Sequence, residues 1–174
     1  MIYVSSLVWM LENVAWLRPG HLISLMDSCA GIPTPPEVEL ADHLRIDVHD
    51  IVEPTPGYVA PAAAHVQKLL EFGEAWTAER PVLIHCMAGV SRSAAAALII
   101  ACQRNEGSER EIARRLRVAG GWVSPNARMV RIADDLLGRR GRLLDALASM
   151  GPPISIFADF PLALPIRLDI DEPA

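Results

Sequence analysis

The sequence is poor in several features, and the absence of each argues against a class of protein. It has three cysteines, and their spacing matches neither a disulfide framework nor a metal site. Positive charge is in deficit: the formal net charge is −5, which argues against nucleic acid and anionic membranes as general partners. The longest apolar run, Ala94 to Cys102, is far too short to cross a bilayer. The composition therefore favours a protein without a nucleic-acid or membrane partner.

The beginning of the chain also lacks the basic residues of a secretory signal, because Arg18 is the first positive residue. Free thiols fit a reducing compartment, so we expect a cytoplasmic protein. A length of 174 residues with 51% hydrophobic residues is enough for one substantial core. We expect residues 1–174 to form a single domain, in which the proline-rich residues 151–174 are a tail that packs on the surface without regular structure.

The order of the predicted elements indicates the fold class. Strand patterns cover residues 2–7, 21–26, 43–48 and 82–85. Helical patterns cover residues 8–17, 61–78, 93–104, 108–120, a segment from 124, and 139–150. This order predicts an α/β three-layer sandwich with a mostly parallel sheet of four to five strands flanked by helices. In such folds the ligand crevice lies at the carboxyl ends of the strands, where Cys86 falls.

One nine-residue stretch, His85 to Ser93, carries the chemistry. Within it, Cys86 and Arg92 are separated by five small or apolar residues, after an apolar strand and before a helix. Such a loop can turn its backbone N–H groups towards a tetrahedral oxyanion, with the positive end of the helix behind it. The thiolate of Cys86 is the nucleophilic form, and the guanidinium of Arg92 can hold two oxygens. The alternative is a buried structural cysteine and a structural arginine.

This stretch resembles the signature of the cysteine-dependent protein tyrosine phosphatases, which is His-Cys, five residues, Arg, then Ser or Thr. The finer pattern, Cys-x-Ala-Gly-x-Ser-Arg-Ser, is similar to the dual-specificity branch and its small bacterial relatives. The resemblance implies that fold and a two-step hydrolysis of phosphate monoesters through a phosphocysteine on Cys86. It also implies that Arg92 stabilises the phosphoryl oxygens, that Ser93 assists the departing sulfur and that His85 orients the loop. The phosphate would be bound by the loop residues Met87, Ala88, Gly89, Val90, Ser91 and Arg92.

Cleavage of a phosphate ester also needs a proton donor, unless the leaving group is already a good one. Asp50 lies just past the third predicted strand, and its position resembles the general-acid loop of the family. Asp47 and Glu53 are the competing acids, and a purely structural turn role for Asp50 stays open. Ser124-Pro125-Asn126 resembles a family segment whose Asn supports the phosphate loop, so Asn126 is a supporting candidate. Its alternative role is that of a polar residue in the first turn of a helix, beside a capping Ser124.

The loop composition bears on the substrate. No Lys, Arg or His stands between Cys86 and Arg92, whereas relatives that act on phosphoinositides or RNA 5′-phosphates usually carry a basic residue there. We therefore expect a singly phosphorylated substrate: a phosphorylated protein, with phosphotyrosine first and phosphoserine or phosphothreonine open. A small phosphoester that is not a protein is the alternative. We expect no metal and no other cofactor, because Arg92 and the loop amides already supply positive charge. The oligomeric state stays open.

Two rival functions compete with this interpretation. One is a module of the same fold that binds phosphate with weak or no turnover. The other is a different cysteine enzyme, such as a sulfurtransferase or an arsenate reductase. Arsenate reduction needs a second thiol close to Cys86, and the sequence gives neither Cys29 nor Cys102 that position. A protective disulfide between Cys29 and Cys86 under oxidation is a further hypothesis.

Overall fold

The strands assemble into the mostly parallel sheet that the sequence predicts. In the computed structural model, which describes residues 1–166, the strands are β1 (Ile2–Ser6), β2 (His21–Met26), β3 (His43–Asp47), β4 (Val82–Cys86) and β5 (Leu162–Leu164). They form one sheet in the order β3-β2-β4-β1-β5. Neighbours among β1 to β4 pair in parallel, and β5 runs antiparallel to β1. Since parallel neighbours end at the same edge, the ends of β2, β3 and β4 come together.

Helices cover both faces of this sheet. Within residues 1–166 they are α1 (Leu7–Leu17), α2 (Ala63–Ala75), α3 (Arg92–Arg104), α4 (Glu109–Ala119), α5 (Ala127–Leu136) and α6 (Arg142–Ser149). Helix α1 packs on one face, in a small core with Leu22 and Leu83, and the other five enclose a larger core on the opposite face. This is the three-layer α/β sandwich that was predicted. No helix in the described part of the chain is long and apolar enough to cross a bilayer.

Helix α3 runs through the centre of the larger core. All of its residues from Arg92 to Cys102 are buried, including four consecutive alanines at 94–97. Small side chains allow close approach of α2, α5, β1 and β4, which all contact α3. The helix begins six residues after β4 ends, so its N-terminus is held rigidly beside Cys86.

The proline-rich tail differs from its prediction, because part of it has regular structure. Leu162–Leu164 forms β5 and pairs with Ile2–Val4 at the edge of the sheet. Leu162 and Leu164 are buried and Ala163 is exposed, which is the alternation of a half-buried strand. A strand of three residues between two prolines is too short to be recognised from an alternation of apolar and polar residues. Residues 167–174 of the predicted tail lie outside the described residues.

Candidate active site

The loop between β4 and α3 brings the predicted nucleophile to the carboxyl edge of the sheet. Cys86 is the last residue of β4 and is only 1% exposed. Its Sγ lies 3.2 Å from the Oγ of Ser93, in the first turn of α3. A hydroxyl at this distance can donate a hydrogen bond to a thiolate. The cysteine therefore lies at the base of the loop with a built-in hydrogen-bond donor.

In this loop, backbone carbonyl groups are hydrogen-bonded but backbone N–H groups are not. The carbonyl of Met87 accepts from the N–H of Leu7, that of Val90 from Ser124, and that of Ser91 from Ala95 and Asn126. In contrast, within residues 1–166, no backbone N–H group of residues 87–92 donates a hydrogen bond. Gly89 and Arg92 are buried, and buried N–H groups are almost always paired in folded proteins. Six consecutive donors without an internal partner, next to a helix N-terminus, are what an anion-binding cradle requires.

Gly89 is the one loop position where the backbone requires glycine. Its φ is +72°, and a Cβ there would lie 2.5 Å from the ring of Phe160 and 2.9 Å from the backbone carbon of Ser5. Phe160, in the tail, also contacts Trp122 with ring centroids 5.5 Å apart. The tail therefore packs directly against the loop, which the sequence did not indicate.

Arg92 is paired with Asp27, a residue that the sequence analysis did not identify. Its guanidinium is 4% exposed, and NH1 donates to Asp27 Oδ1 at 2.5 Å and to the carbonyl of Val48 at 2.7 Å. Its Nε is buried without a hydrogen-bond partner in residues 1–166. Asp27 directly follows β2, so its position at the carboxyl edge of the sheet was the available signal. The pairing immobilises Arg92 through NH1 and leaves Nε and NH2, which have no hydrogen-bond partner among the described residues, for a ligand.

Asp50 lies above the loop, where the prediction needs a proton donor. Its Oδ1 accepts from the Oγ of Ser91 at 2.7 Å and from the Nδ2 of Asn126 at 2.9 Å. Both bonds fall on the same oxygen, so Oδ2 is available to carry a proton. The side chain is exposed and lines an open cavity of about 610 Å³. This arrangement permits proton transfer to a group bound at the loop.

The two competing acids have different surroundings. Asp47 is the last residue of β3, and its Oδ1 accepts from the backbone N–H of Cys29 at 2.6 Å, which anchors the segment after β2. Glu53 lines the same cavity as Asp50, and its side chain makes no hydrogen bond within residues 1–166. Of the three acids, Asp50 alone is hydrogen-bonded to the phosphate-loop residue Ser91 among the described residues.

Asn126 supports the loop in a different way from the one expected. Its side chain holds Asp50, while its backbone N–H donates to the carbonyl of Ser91 at 3.3 Å. Its Oδ1 also accepts from the N–H of Met129 at 3.1 Å and so caps α5. One residue thus joins the acid, the loop and a helix start. The sequence alternative placed the helix cap at Ser124, whereas in the structure Asn126 is itself the capping residue and also contacts the loop.

His85 is fully buried on the face of the sheet opposite to Cys86. Its Nε2 lies 2.6 Å from the Oγ of Ser24. Burial lowers the pKa of His85 to about 4; the charge of Arg92 adds to the lowering, and the backbone of Cys86 acts in the opposite direction. The imidazole is therefore neutral at physiological pH and acts as a hydrogen-bonding group rather than as a charge.

The other two thiols have surroundings unlike that of Cys86. The Sγ of Cys29 lies 3.5 Å from the carbonyls of Ser24 and Ile46, and burial together with Asp47 raises the pKa of this thiol to about 11. Burial raises the pKa of Cys102 to about 12, and this residue is ten positions beyond Arg92 on α3, about 15 Å along the helix. Both thiols are held in the protonated, unreactive form. A disulfide between Cys29 and Cys86 remains a hypothesis.

Comparison with known proteins gives similarity at the level of structure. No family model and no curated protein sequence matches the chain. Among solved structures, DUSP15 superposes with a TM-score of 0.62 at 18% identity, over 86% of this chain and 89% of that one. The PTP-2 phosphatase of Cydia pomonella has a TM-score of 0.60 at 25% identity, over 77% of this chain and 84% of that one. The human tyrosine phosphatase-like serine/threonine/tyrosine-interacting protein has a TM-score of 0.60 at 19% identity, over 80% of this chain and 92% of that one.

This is the fold of the cysteine-dependent protein tyrosine phosphatases, in its dual-specificity form. The predicted fold is therefore confirmed, and the His85 to Ser93 loop lies at the carboxyl edge of its sheet. In the described residues, no three His, Cys, Asp or Glu side chains come together as a metal-binding group would require.

Proposed function

We propose that the protein hydrolyses phosphate monoesters through a phosphocysteine intermediate. The observation that carries the proposal is the set of six unpaired backbone N–H groups at residues 87–92, together with the unpaired Nε of Arg92. Donors without a protein partner, on the residues that directly follow Cys86, are suited to binding the three free oxygens of a phosphate dianion. Structural similarity to DUSP15 and to the PTP-2 phosphatase supports the same activity.

In the first step, the Cys86 thiolate attacks phosphorus, an S–P bond forms and the bond from phosphorus to the ester oxygen breaks. The departing oxygen takes the proton from Oδ2 of Asp50, whose position is maintained by Ser91 and Asn126. Arg92 and the loop amides stabilise the charge on the three equatorial oxygens. The product alcohol or phenol then leaves through the open cavity beside Asp50.

In the second step, water attacks phosphorus and the Asp50 carboxylate takes the proton from it. The S–P bond breaks, its electron pair goes to sulfur and regenerates the thiolate, and inorganic phosphate is released. Ser93, 3.2 Å from Sγ, stabilises the departing anion by a hydrogen bond. The role of His85 is to orient the strand end and the loop, because its neutral buried ring cannot serve as the base.

For the substrate, we propose a phosphorylated protein, with phosphotyrosine as the first candidate and phosphoserine or phosphothreonine accepted by an open site. Acidic side chains, Asp27, Asp50 and Glu53, surround the loop, and the loop itself contains no basic residue before Arg92. This charge distribution disfavours substrates with several phosphates. A small phosphoester that is not a protein fits the same chemistry and is distinguished by substrate screening.

The test is hydrolysis of an aryl phosphate by the wild-type chain and by Cys86→Ser. We expect turnover by the wild type, its loss in Cys86→Ser, inhibition by vanadate and no loss in the presence of a chelator. A panel of phosphopeptides, sugar phosphates and lipid phosphates, with Cys86→Ser as a trapping variant, then identifies the substrate class. Vanadate binding without any turnover by the wild type would instead favour a phosphate-binding module. The neighbour that is named as an interacting protein gives that alternative some support.

A further inference from the structure

A row of polar side chains crosses the α1 face of the sheet behind the active site. The strand register pairs Ser24 of β2 with His85 of β4 on one side and with Arg45 of β3 on the other. His43 lies two residues before Arg45 and therefore on the same face. Ser24, His43 and His85 are all buried. Buried polar groups in a sheet are costly unless each has a partner, so their arrangement calls for an account.

These side chains form a continuous series of hydrogen bonds, which we call the hydrogen-bond relay. Arg45 NH2 lies 2.6 Å from Thr34 Oγ1, and Thr34 Oγ1 lies 3.0 Å from His43 Nδ1. His43 Nε2 lies 2.7 Å from Ser24 Oγ, which lies 2.6 Å from His85 Nε2. The relay therefore connects a partly exposed arginine at the sheet edge with the histidine that precedes Cys86.

The tautomers of the two histidines set the direction of the relay. A guanidinium only donates, so Thr34 Oγ1 accepts from Arg45, and the relay runs towards the active site in the arrangement in which the Thr34 O–H donates to His43 Nδ1. His43 then carries its proton on Nε2 and donates it to Ser24. Ser24 in turn donates its O–H to His85 Nε2. Each hydroxyl accepts one bond and donates one, so every hydrogen points towards the active site.

At the end of the relay, the acceptor role of Nε2 leaves the proton of His85 on Nδ1. Nδ1 is buried without a hydrogen-bond partner in residues 1–166, and the backbone of Cys86 lies next to the ring. An N–H in that position attracts the backbone carbonyl of Cys86 and adds positive potential beside the thiolate. The opposite tautomer would turn a lone pair towards that carbonyl and repel it.

We propose that Arg45, Thr34 and His43 are positioning residues of the active site, which act through Ser24 to keep the proton of His85 on the nitrogen that faces Cys86. The proposal rests on the proposed function only in assigning Cys86 as the nucleophile. None of the three residues touches the substrate. Their effect is to preorganise the strand end and to favour the thiolate.

The first experiment determines the tautomer directly. A long-range 1H–15N correlation spectrum of the wild-type protein with labelled histidine, assigned with a His85→Asn variant, distinguishes protonated Nδ1 from protonated Nε2. We expect His85 to be protonated on Nδ1 and His43 on Nε2. Protonation of His85 on Nε2 in the wild type would overturn the proposal at once.

The second experiment interrupts the relay far from the loop. Thr34→Val removes only the hydroxyl at nearly constant volume, Thr34→Ser retains it, and Thr77→Val is a matched control on an exposed residue after α2. The readout is the pH midpoint for alkylation of Cys86 by iodoacetamide. The other two thiols do not interfere, since burial raises the pKa of Cys29 to about 11 and that of Cys102 to about 12.

We expect Thr34→Val to raise the midpoint by about 0.7 pH unit, which corresponds to roughly a fivefold smaller thiolate fraction and is the usual effect of one hydrogen bond. kcat should fall by a similar factor with little change in KM. Thr34→Ser should restore both values and Thr77→Val should change neither. If Thr34→Val and Ser24→Ala, both folded by circular dichroism, leave the tautomer and the midpoint unchanged, the relay is merely structural. Neither readout needs turnover, so an inactive wild type with an intact relay would refute the proposed function alone.

Discussion

Replacement of Asp50 by asparagine tests the assignment of the proton donor with little disturbance of structure. The carboxylate uses Oδ1 for both of its hydrogen bonds, 2.7 Å from Ser91 Oγ and 2.9 Å from Asn126 Nδ2. The amide oxygen of asparagine can accept the same two bonds, and the amide nitrogen replaces Oδ2 at almost the same size. Asp50→Asn therefore keeps the contacts with the loop and removes the transferable proton.

The size of the effect should depend on the leaving group. General acid catalysis contributes about 100-fold to 10,000-fold when the departing oxygen is strongly basic. An alkyl phosphate, or the phenolate of a tyrosine, needs this proton. A nitrophenolate leaves readily as an anion, so its hydrolysis should slow by no more than roughly fivefold. The slope of log kcat/KM against the pKa of the leaving group should thus be shallow for the wild type and steep for Asp50→Asn.

The assay is a series of aryl phosphates with leaving groups of increasing pKa, measured for both proteins. Asp47→Asn is the matched control, because that carboxylate accepts from the N–H of Cys29. We expect its slope to equal that of the wild type. An equal loss on all substrates in Asp50→Asn would show that Asp50 organises the loop without donating a proton. A steep slope in Asp47→Asn instead would transfer the role to that residue.

Two further perturbations test the surroundings of the loop. Asp27→Ala removes the carboxylate that holds the NH1 of Arg92, so kcat/KM for an aryl phosphate should fall about tenfold and vanadate should bind more weakly. Asp135→Ala, at an exposed position of α5, is the control, and equal activity of the two variants would contradict the positioning of Arg92. For His43 and His85, burial lowers the pKa in the folded state from 6.5 to about 4, so the unfolded chain binds more protons between these values. The free energy of unfolding should therefore decrease as the pH falls from 6.5 to 4, by at most about 1.4 kcal/mol per pH unit for each histidine. Denaturant titrations across this range should show a weaker pH dependence of the free energy of unfolding for His43→Gln than for the wild type. An equal pH dependence in the two proteins would refute the lowered pKa of His43.

Most of the fold could be predicted because the relevant patterns are local. The apolar strands at 21–26 and 82–86 and the uniformly apolar α3 are continuous in sequence, and their alternation with helices leaves few architectures. β5 could not be predicted in this way. Its three residues become a strand only because the edge of β1 is available for pairing, which is a contact across more than 150 positions of sequence.

The sequence alone predicted the part of the candidate site that is contiguous: a cysteine, five small or apolar residues and an arginine between a strand and a helix favour a loop whose amides can bind an anion. Only the tertiary structure decided what surrounds that loop. Asp27 contacts Arg92, and Asn126 contacts Asp50, because parallel strands end and α5 begins at the same edge of the sheet. The hydrogen-bond relay likewise depends on strand register, which sets residues 45, 24 and 85 side by side and places residue 43 on the same face. Such contacts arise from packing between distant segments, and no local pattern encodes them.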